Sequence, residues 1–249
     1  MPSYRRPSLK NLTDEQVASC YVLGIDEAGR GSVLGPLVVA GVFMKATELS
    51  ILESLGVADS KHYGSSAKAQ EKRSCLAEKI RTIGKACVVK VPSCCVDRWV
   101  GRGGLNNLEI RCARYIISKG PPLFWALADG ENLFRPLTRI YSWFSAINHA
   151  DQKEPLVSAA SIIAKHERDL SMKGIFDSYK DTYGQPGGGG YVNKKTEIFL
   201  RSFHSSTKLL PAEVRLSWKW EVIKELTGKE MPKQTALFRE KSSSRKKKY

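Results

Sequence analysis

The chain has 249 residues, 40 of them Lys or Arg and 25 Asp or Glu, which gives a formal charge of +15 at pH 7. That length allows one large domain, or one domain with an appendage, and the positive excess points to a polyanionic partner, either nucleic acid or an anionic surface. No apolar run reaches membrane-spanning length, the start Met1-Pro-Ser-Tyr-Arg-Arg6 has no signal-peptide character, and the six cysteines show no C-x-x-C spacing, so the expectation is a soluble intracellular protein with reduced cysteines rather than a disulfide or zinc framework.

Taken in chain order, Ser8 to Gln16 predicts one short capped helix. Tyr21 to Ile25 and Leu37 to Phe43 are rich in β-branched residues and predict strands. The Gly29 to Pro36 segment between them has turn chemistry, so the pair predicts a hairpin. Ser66 to Ile83 has helical spacing with many charges, Ala86 to Val91 predicts a strand, and Leu105 to Ile117 an amphipathic helix. Leu123 to Ala128 reads as a buried strand closing on the turn Asp129-Gly130. Leu156 to Leu170 predicts a helix with a small-residue packing face. Tyr183 to Tyr191 holds Pro186 and four consecutive glycines and predicts a loop. Helices are expected over Lys194 to Phe203 and Ser217 to Leu226, and Lys241 to Tyr249 reads as a basic, disordered tail. Strands alternating with helices after an opening hairpin indicate an α/β domain.

Four acids share one context, an apolar element ending at a polar turn: Asp26 and Glu27, Asp129, and Asp151. Carboxylates at strand ends around one cleft suit a site for two magnesium ions, because magnesium takes hard oxygen ligands and phosphodiester hydrolysis uses one ion on each side of the phosphorus. Neighbours on a regular strand point to opposite faces, so Asp26 and Glu27 share a site only if the strand bends, which Ala28-Gly29 would permit. Taken singly, an Asp-Gly after a strand is an ordinary turn and an Asp before a helix an ordinary cap.

The run Gly24-Ile-Asp-Glu-Ala-Gly-Arg-Gly31, with Leu34-Gly-Pro-Leu-Val-Val-Ala-Gly41, resembles the opening motif of the type 2 ribonucleases H, the ribonuclease HII family. Similar elements follow in the family's order: Ala58-Asp-Ser-Lys61, Asn107-Leu-Glu109, Ala128-Asp-Gly130, Ala150-Asp151, Val157-Ser-Ala-Ala-Ser-Ile-Ile-Ala-Lys165, Glu167-Arg-Asp169, Gly190-Tyr191, and Pro211-Ala-Glu-Val-Arg-Leu-Ser-Trp-Lys219. The last resembles the archaeal and eukaryotic branch. The resemblance covers about residues 20 to 220. It implies a ribonuclease H-like mixed sheet flanked by helices with a C-terminal helical extension: a catalytic core over 20–170, a helical subdomain over 171–230 carrying the glycine-rich loop, and a basic tail over 231–249. It implies an endonuclease that hydrolyses the RNA strand of RNA/DNA hybrids and cuts 5′ of ribonucleotides embedded in duplex DNA. The chemistry would be two-metal-ion hydrolysis with Mg2+ or Mn2+, leaving 3′-hydroxyl and 5′-phosphate ends.

Carried over residue by residue, the resemblance makes Asp26, Glu27, Asp129 and Asp151 the catalytic metal ligands and leaves Asp169 outside the set. Gly29, Arg30 and Gly31 correspond to the element that meets the nucleotide, Lys61 to a phosphate-contacting lysine, and Tyr191 to the tyrosine that packs on the sugar and senses its 2′-hydroxyl. Ser32, the run Gly187 to Gly190, Val192 and His62-Tyr63-Gly64 depart from the usual pattern. Ribonuclease HIII shares the acids but lacks the Gly-Arg-Gly triplet, so Arg30 favours the HII reading. The resemblance further implies no membrane, a single working subunit with accessory subunits in a eukaryotic setting, and a cytoplasmic or, in eukaryotes, nuclear location. Gln234-Thr-Ala-Leu237-Phe238 is similar to a sliding-clamp-binding motif but lacks the following aromatic pair and is read as chance. The alternatives are a resolvase-like DNA nuclease of the same fold, which would not need Tyr191, and a non-catalytic basic binding module. Four intact acids argue against the latter, because clustered carboxylates without a cation repel.

Overall fold

Tyr21–Ala28 (β1) and Leu37–Lys45 (β2) form the expected antiparallel hairpin in a computed structural model that describes residues 6–57 and 66–228. Lys85–Val91 (β3) adds antiparallel to β2, while Leu123–Asp129 (β4) pairs parallel to β1 and Phe144–Ile147 (β5) parallel to β4. The sheet order is therefore β3-β2-β1-β4-β5, with β1 at its centre. A mixed sheet with a hairpin on one side and crossovers on the other is the arrangement that the alternation of elements implies.

Both faces of the sheet are covered, which is why β2 reads as a nearly unbroken apolar run. On one face Val22, Val38, Ala40, Val42 and Leu127 pack under Ala67–Ile83, Leu49–Ser54 and the long helix Pro155–Tyr183. On the other, Leu23, Ile25, Val39, Phe43 and Ala126 pack under Ser93–Arg102, Gly104–Ile117 and Glu131–Ile140. In chain order these helices are α2 (49–54), α3 (67–83), α4 (93–102), α5 (104–117), α6 (131–140) and α7 (155–183), after a short α1 at Asp14–Ser19. Helix α1 starts later than Ser8 because Thr13 and Gln16 form a capping box at its start.

Helix α7 governs the geometry of the site. Residues 156–164 are buried all round, which explains the small side chains of Ser158, Ala159, Ala160, Ser161 and Ala164. It lies so close to β1 that a Cβ on Gly24 would stand 2.3 Å from the Leu156 carbonyl oxygen. The helix continues well past the expected end at Leu170, and so runs unbroken through the 170/171 boundary read from the sequence. Its second half joins Lys194–Thr207 (α8) and Glu221–Thr227 (α9) around a third apolar cluster of Leu34, Met172, Phe199, Leu200, Val214 and Ile223. Helix α9 begins later than expected, because residues 213–218 instead lace back onto the loop between β1 and β2: Gly35 N–H donates to the Glu213 carbonyl at 2.9 Å and Arg215 N–H to the Val33 carbonyl at 2.9 Å. The six cysteines are unbonded. Among the described residues no helix is long and apolar enough to cross a membrane. Lys61 with its neighbours 58–64, the 234–238 segment and the 241–249 tail lie outside the described residues.

Candidate metal centre and nucleic-acid cleft

Asp26, near the end of β1, and Asp129, the last residue of its parallel neighbour β4, both continue the alternation of Val22 and Leu127 toward the α7 face. Asp151 is delivered by a 3-10 turn, Ala150–Gln152, immediately before α7. His149 in the left-handed conformation (φ 59°) turns the chain there, and Ala150 N–H donates to Asp129 Oδ1 at 3.0 Å, tying the turn to β4. Carboxylate oxygens of Asp26, Asp129 and Asp151 come within 4.8 Å of one another. Asp26 and Asp151 are buried. Burial, and then the charge of Glu27, hold the Asp26 carboxyl well above the usual carboxylate range, with the neighbouring Ser161 hydroxyl acting against the shift. Three clustered carboxylates, two of them buried, repel unless a cation or a proton intervenes. They offer the hard oxygen donors that Mg2+ or Mn2+ takes, so the residues fit a divalent metal.

Glu27 stands apart from that cluster. The bend that would bring it beside Asp26 does not occur: β1 stays paired through Ala28, opposite Val38, and the two acids keep the strand's alternation. Glu27 lines a cleft of about 300 Å³ together with Arg30, Asn106, Asp129, Asn132 and Asn148. It interacts with Asp129 across the strand ends and with Asp26 beside it on the strand. Its carboxyl is raised by burial, with Arg30 opposing. Arg30 is itself aimed by the wholly buried Glu109, its ion-pair partner, and by a hydrogen bond donated to Asn106.

The Gly-Arg-Gly element divides into two roles. Gly29 has φ +83°, and a Cβ there would stand 2.1 Å from Arg168 Nε. Its lack of a side chain makes room for an arginine of the same protein. At Gly31 a Cβ would meet only Tyr191 Cε1, at 3.7 Å, so this glycine leaves the face of the loop toward the tyrosine open. Ser32, where the sequence departs from its resemblance, is fully buried and closes the turn by donating its hydroxyl to the Gly29 carbonyl at 2.9 Å.

Tyr191 is placed in spite of the glycine run before it. Leu34 and Val33 N–H groups both donate to the Gly190 carbonyl at 3.0 Å, and Asn193 Nδ2 donates to the Tyr191 carbonyl at 2.7 Å. The Arg168 guanidinium lies 5.4 Å from the Tyr191 ring centroid and donates to the carbonyls of Gly189 (2.7 Å), Leu34 (3.2 Å) and Pro36 (3.3 Å). Arg215, fully buried, donates to the carbonyls of Gly35 (3.0 Å) and Arg30 (3.2 Å). Burial and the nearby Arg168 charge push its pKa down to about 9. Two buried arginines thus fasten the loop that presents Arg30 and Gly31. Neither arginine is assigned a role from sequence: Arg215 stands between Val214 and Leu216, an available signal, whereas Arg168 sits among Lys165, His166, Glu167 and Asp169 and carries none. Asp169 is held by Arg73 at 2.7 and 3.0 Å, away from the carboxylate cluster.

Comparison with known proteins agrees with this geometry. The family model for ribonuclease HII matches residues 23–221. Ribonuclease HII of Methanothermobacter thermautotrophicus is 40% identical over 205 residues, covering 79% of this chain and 95% of that protein. The Archaeoglobus fulgidus enzyme is 37% identical over 202 residues, covering 79% and 92%. Among solved structures, the chain is similar to ribonuclease H2 from Pyrococcus horikoshii OT3 (TM-score 0.72, 27% identity, 84% of this chain and 100% of that one). It is also similar to a chain of the PCNA:RNase HII complex from Archaeoglobus fulgidus (TM-score 0.68, 36% identity, 80% and 95%). Bst-RNase HIII in complex with Mn2+ shares the fold (TM-score 0.66, 19% identity, 92% and 76%). With the family model, the sequence relatives and the fold in agreement over most of its length, the chain belongs to the ribonuclease HII family and is a metal-dependent ribonuclease.

Proposed function

We propose that this enzyme cuts the RNA strand of RNA/DNA hybrids and the phosphodiester 5′ of single ribonucleotides in duplex DNA, leaving 3′-hydroxyl and 5′-phosphate ends. The observation that carries the reading is the clustering of Asp26, Asp129 and Asp151, the first of them five residues before a glycine, Gly31, against which Tyr191 is set. Asp26, Asp129 and Asp151, with Glu27 across the strand ends, would hold two divalent cations, with Mg2+ or Mn2+ both suited to the donor set. When bound, the cations supply water activation and charge stabilisation at the scissile phosphate. Arg30, held by Glu109 and Asn106, offers its remaining donors to a phosphate, and Lys61, outside the described residues, is the second phosphate-binding cation that the motif implies. The Gly31 backbone and the Tyr191 ring and hydroxyl flank the space for one ribose. A site that hydrogen-bonds a single hydroxyl rejects the analogue without it, because its buried partners are left unpaired.

A resolvase-like activity on all-DNA substrates has no use for a tyrosine fastened against an open glycine. The test is denaturing-gel analysis of a duplex with one embedded ribonucleotide, of a uniform hybrid, and of the matched all-DNA duplex, each with Mg2+ and with Mn2+. Cleavage confined to the 5′ side of ribonucleotides is expected. Equal cutting of the all-DNA duplex would overturn the reading.

A further inference from the structure

The cleft that opens from Asp129 carries chemistry that the acids and the glycine loop do not use. Asn106, Asn132 and Asn148 line it, and the side-chain oxygen of each is held by a group that can only donate. Arg30 donates to Asn106 Oδ1, Arg135 to Asn132 Oδ1 at 2.7 Å, and the Glu131 backbone N–H to Asn148 Oδ1 at 3.0 Å. Guanidinium and amide N–H groups have no lone pair to offer, so oxygen and nitrogen are fixed in all three side chains. With each oxygen turned to a donor of the protein, the NH2 group is the end of each asparagine left unpaired to meet a ligand. Arg30 adds further donors to the same wall. Beside the carboxylates of Glu27 and Asp129, whose charge bound cations would neutralise, the polar side chains of the cleft offer the donors of Arg30 and of three amide NH2 groups. Its complement is an acceptor-only anion.

We propose that Asn132 and Asn148, with Asn106 and Arg30, form a subsite for a backbone phosphate next to the scissile one. This rests on the nuclease reading above. The phosphate belongs either to the cut strand or to its complement, and the chemistry is the same for both.

The test uses the full chain with Mg2+, N132D and N148D, and a duplex bearing one ribonucleotide. Aspartate keeps the oxygen that accepts from Arg135 or from the Glu131 N–H but turns the outward donor into an anionic acceptor. Each variant should keep the wild-type melting temperature and raise KM about tenfold or more, as expected when a hydrogen bond to a charged group is lost. Single phosphates are then replaced by neutral methylphosphonates, one position at a time, in the cut strand and separately in the complement. At one position the replacement should slow wild type about tenfold yet leave N132D and N148D unslowed, since the contact is already gone. The strand carrying that position is the one that supplies the phosphate. Wild-type KM in both variants, or an equal penalty in wild type and variants at every position, overturns the subsite. Should N148D fail to fold for want of its contact at α6, N132D carries the same test, because its oxygen holds only the exposed Arg135. Failure of wild type to cut the unmodified duplex would instead refute the proposed function itself.

Discussion

At Asp26, burial and the Glu27 charge oppose ionisation, so the folded carboxyl titrates above its unfolded value. The sign follows from linkage: a carboxyl raised in the native state destabilises the fold progressively as pH climbs from the unfolded pKa through the folded one, and the penalty is complete above both. Asp26→Asn removes it. The metal-free variant should therefore melt higher than wild type at pH 8, with the difference vanishing below about pH 4, near the unfolded carboxyl value. The same variant should lose about a thousandfold or more in cleavage, the equivalent of several kcal/mol of metal-assisted stabilisation. Calorimetry across pH, alongside single-turnover rates with Mg2+, checks both; a wild-type rate would remove Asp26 from the metal set. Tyr191 makes a separate prediction. Tyr191→Ala should slow cutting at an embedded ribonucleotide at least tenfold, while Tyr191→Phe separates ring packing from the hydroxyl. A wild-type rate for Tyr191→Ala on that duplex would show that the ring does not read the sugar. The four acids could be picked out from sequence because each sits where an apolar run ends. Arg168 and Arg215 could not, because their role is to hold main-chain carbonyls that only the fold brings to them.

The β1–β2 connection is one element with two kinds of glycine, and substitution should separate them. Gly29→Ala meets a left-handed φ and the Arg168 guanidinium at once, so it should lower stability by about 1–3 kcal/mol, the usual penalty for overpacking and strain. Gly31→Ala meets only the Tyr191 ring at van der Waals distance and should melt like wild type while cutting more slowly, because its methyl group enters the space for the ribose. Thermal melts and single-turnover rates measured side by side check the pair; a Gly31→Ala protein as unstable as Gly29→Ala would mean that the opening is structural. Elements with a clear period were legible in advance: the hairpin, α3, α5, β4 and the start of α7. Those missed have physical reasons. Helix α6 contains Pro136, which sequence reading treats as a breaker, yet it sits in the sixth position of a short helix whose apolar side chains Phe134 and Leu137 are fully buried. Strand β5 is four residues long and carries no alternation to detect. The bend expected after Glu27 assumed that both acids must face one way; β1 instead stays paired through Ala28, and Asp129 on the neighbouring strand acts on both acids.

Over the whole molecule, the +15 charge predicts that affinity for any duplex falls steeply with salt, since each phosphate neutralised releases a counterion. Deleting residues 241–249, which hold Lys241, Arg245, Lys246, Lys247 and Lys248, should weaken binding and flatten the log–log salt slope by several units without moving the cleaved bond. Fluorescence anisotropy from 50 to 300 mM salt together with product mapping checks this, and a displaced cut would contradict a purely electrostatic tail. Asp26 lies beside Ser161, and three residues later Gly29 lies beside Arg168, seven residues along α7. Three strand residues at about 3.3 Å each and seven helical residues at about 1.5 Å each both measure about 10 Å. The two backbones therefore act as a vernier, commensurate at the hydrolytic centre and again at the tyrosine's anchor. An insertion of one residue between Ser161 and Arg168 would swing everything beyond it through about 100°. It would leave the carboxylates assembled and the tyrosine out of phase, and on the function proposed above the expected outcome is a nuclease that cuts without telling ribose from deoxyribose, which single-turnover rates on matched duplexes with and without one ribonucleotide check.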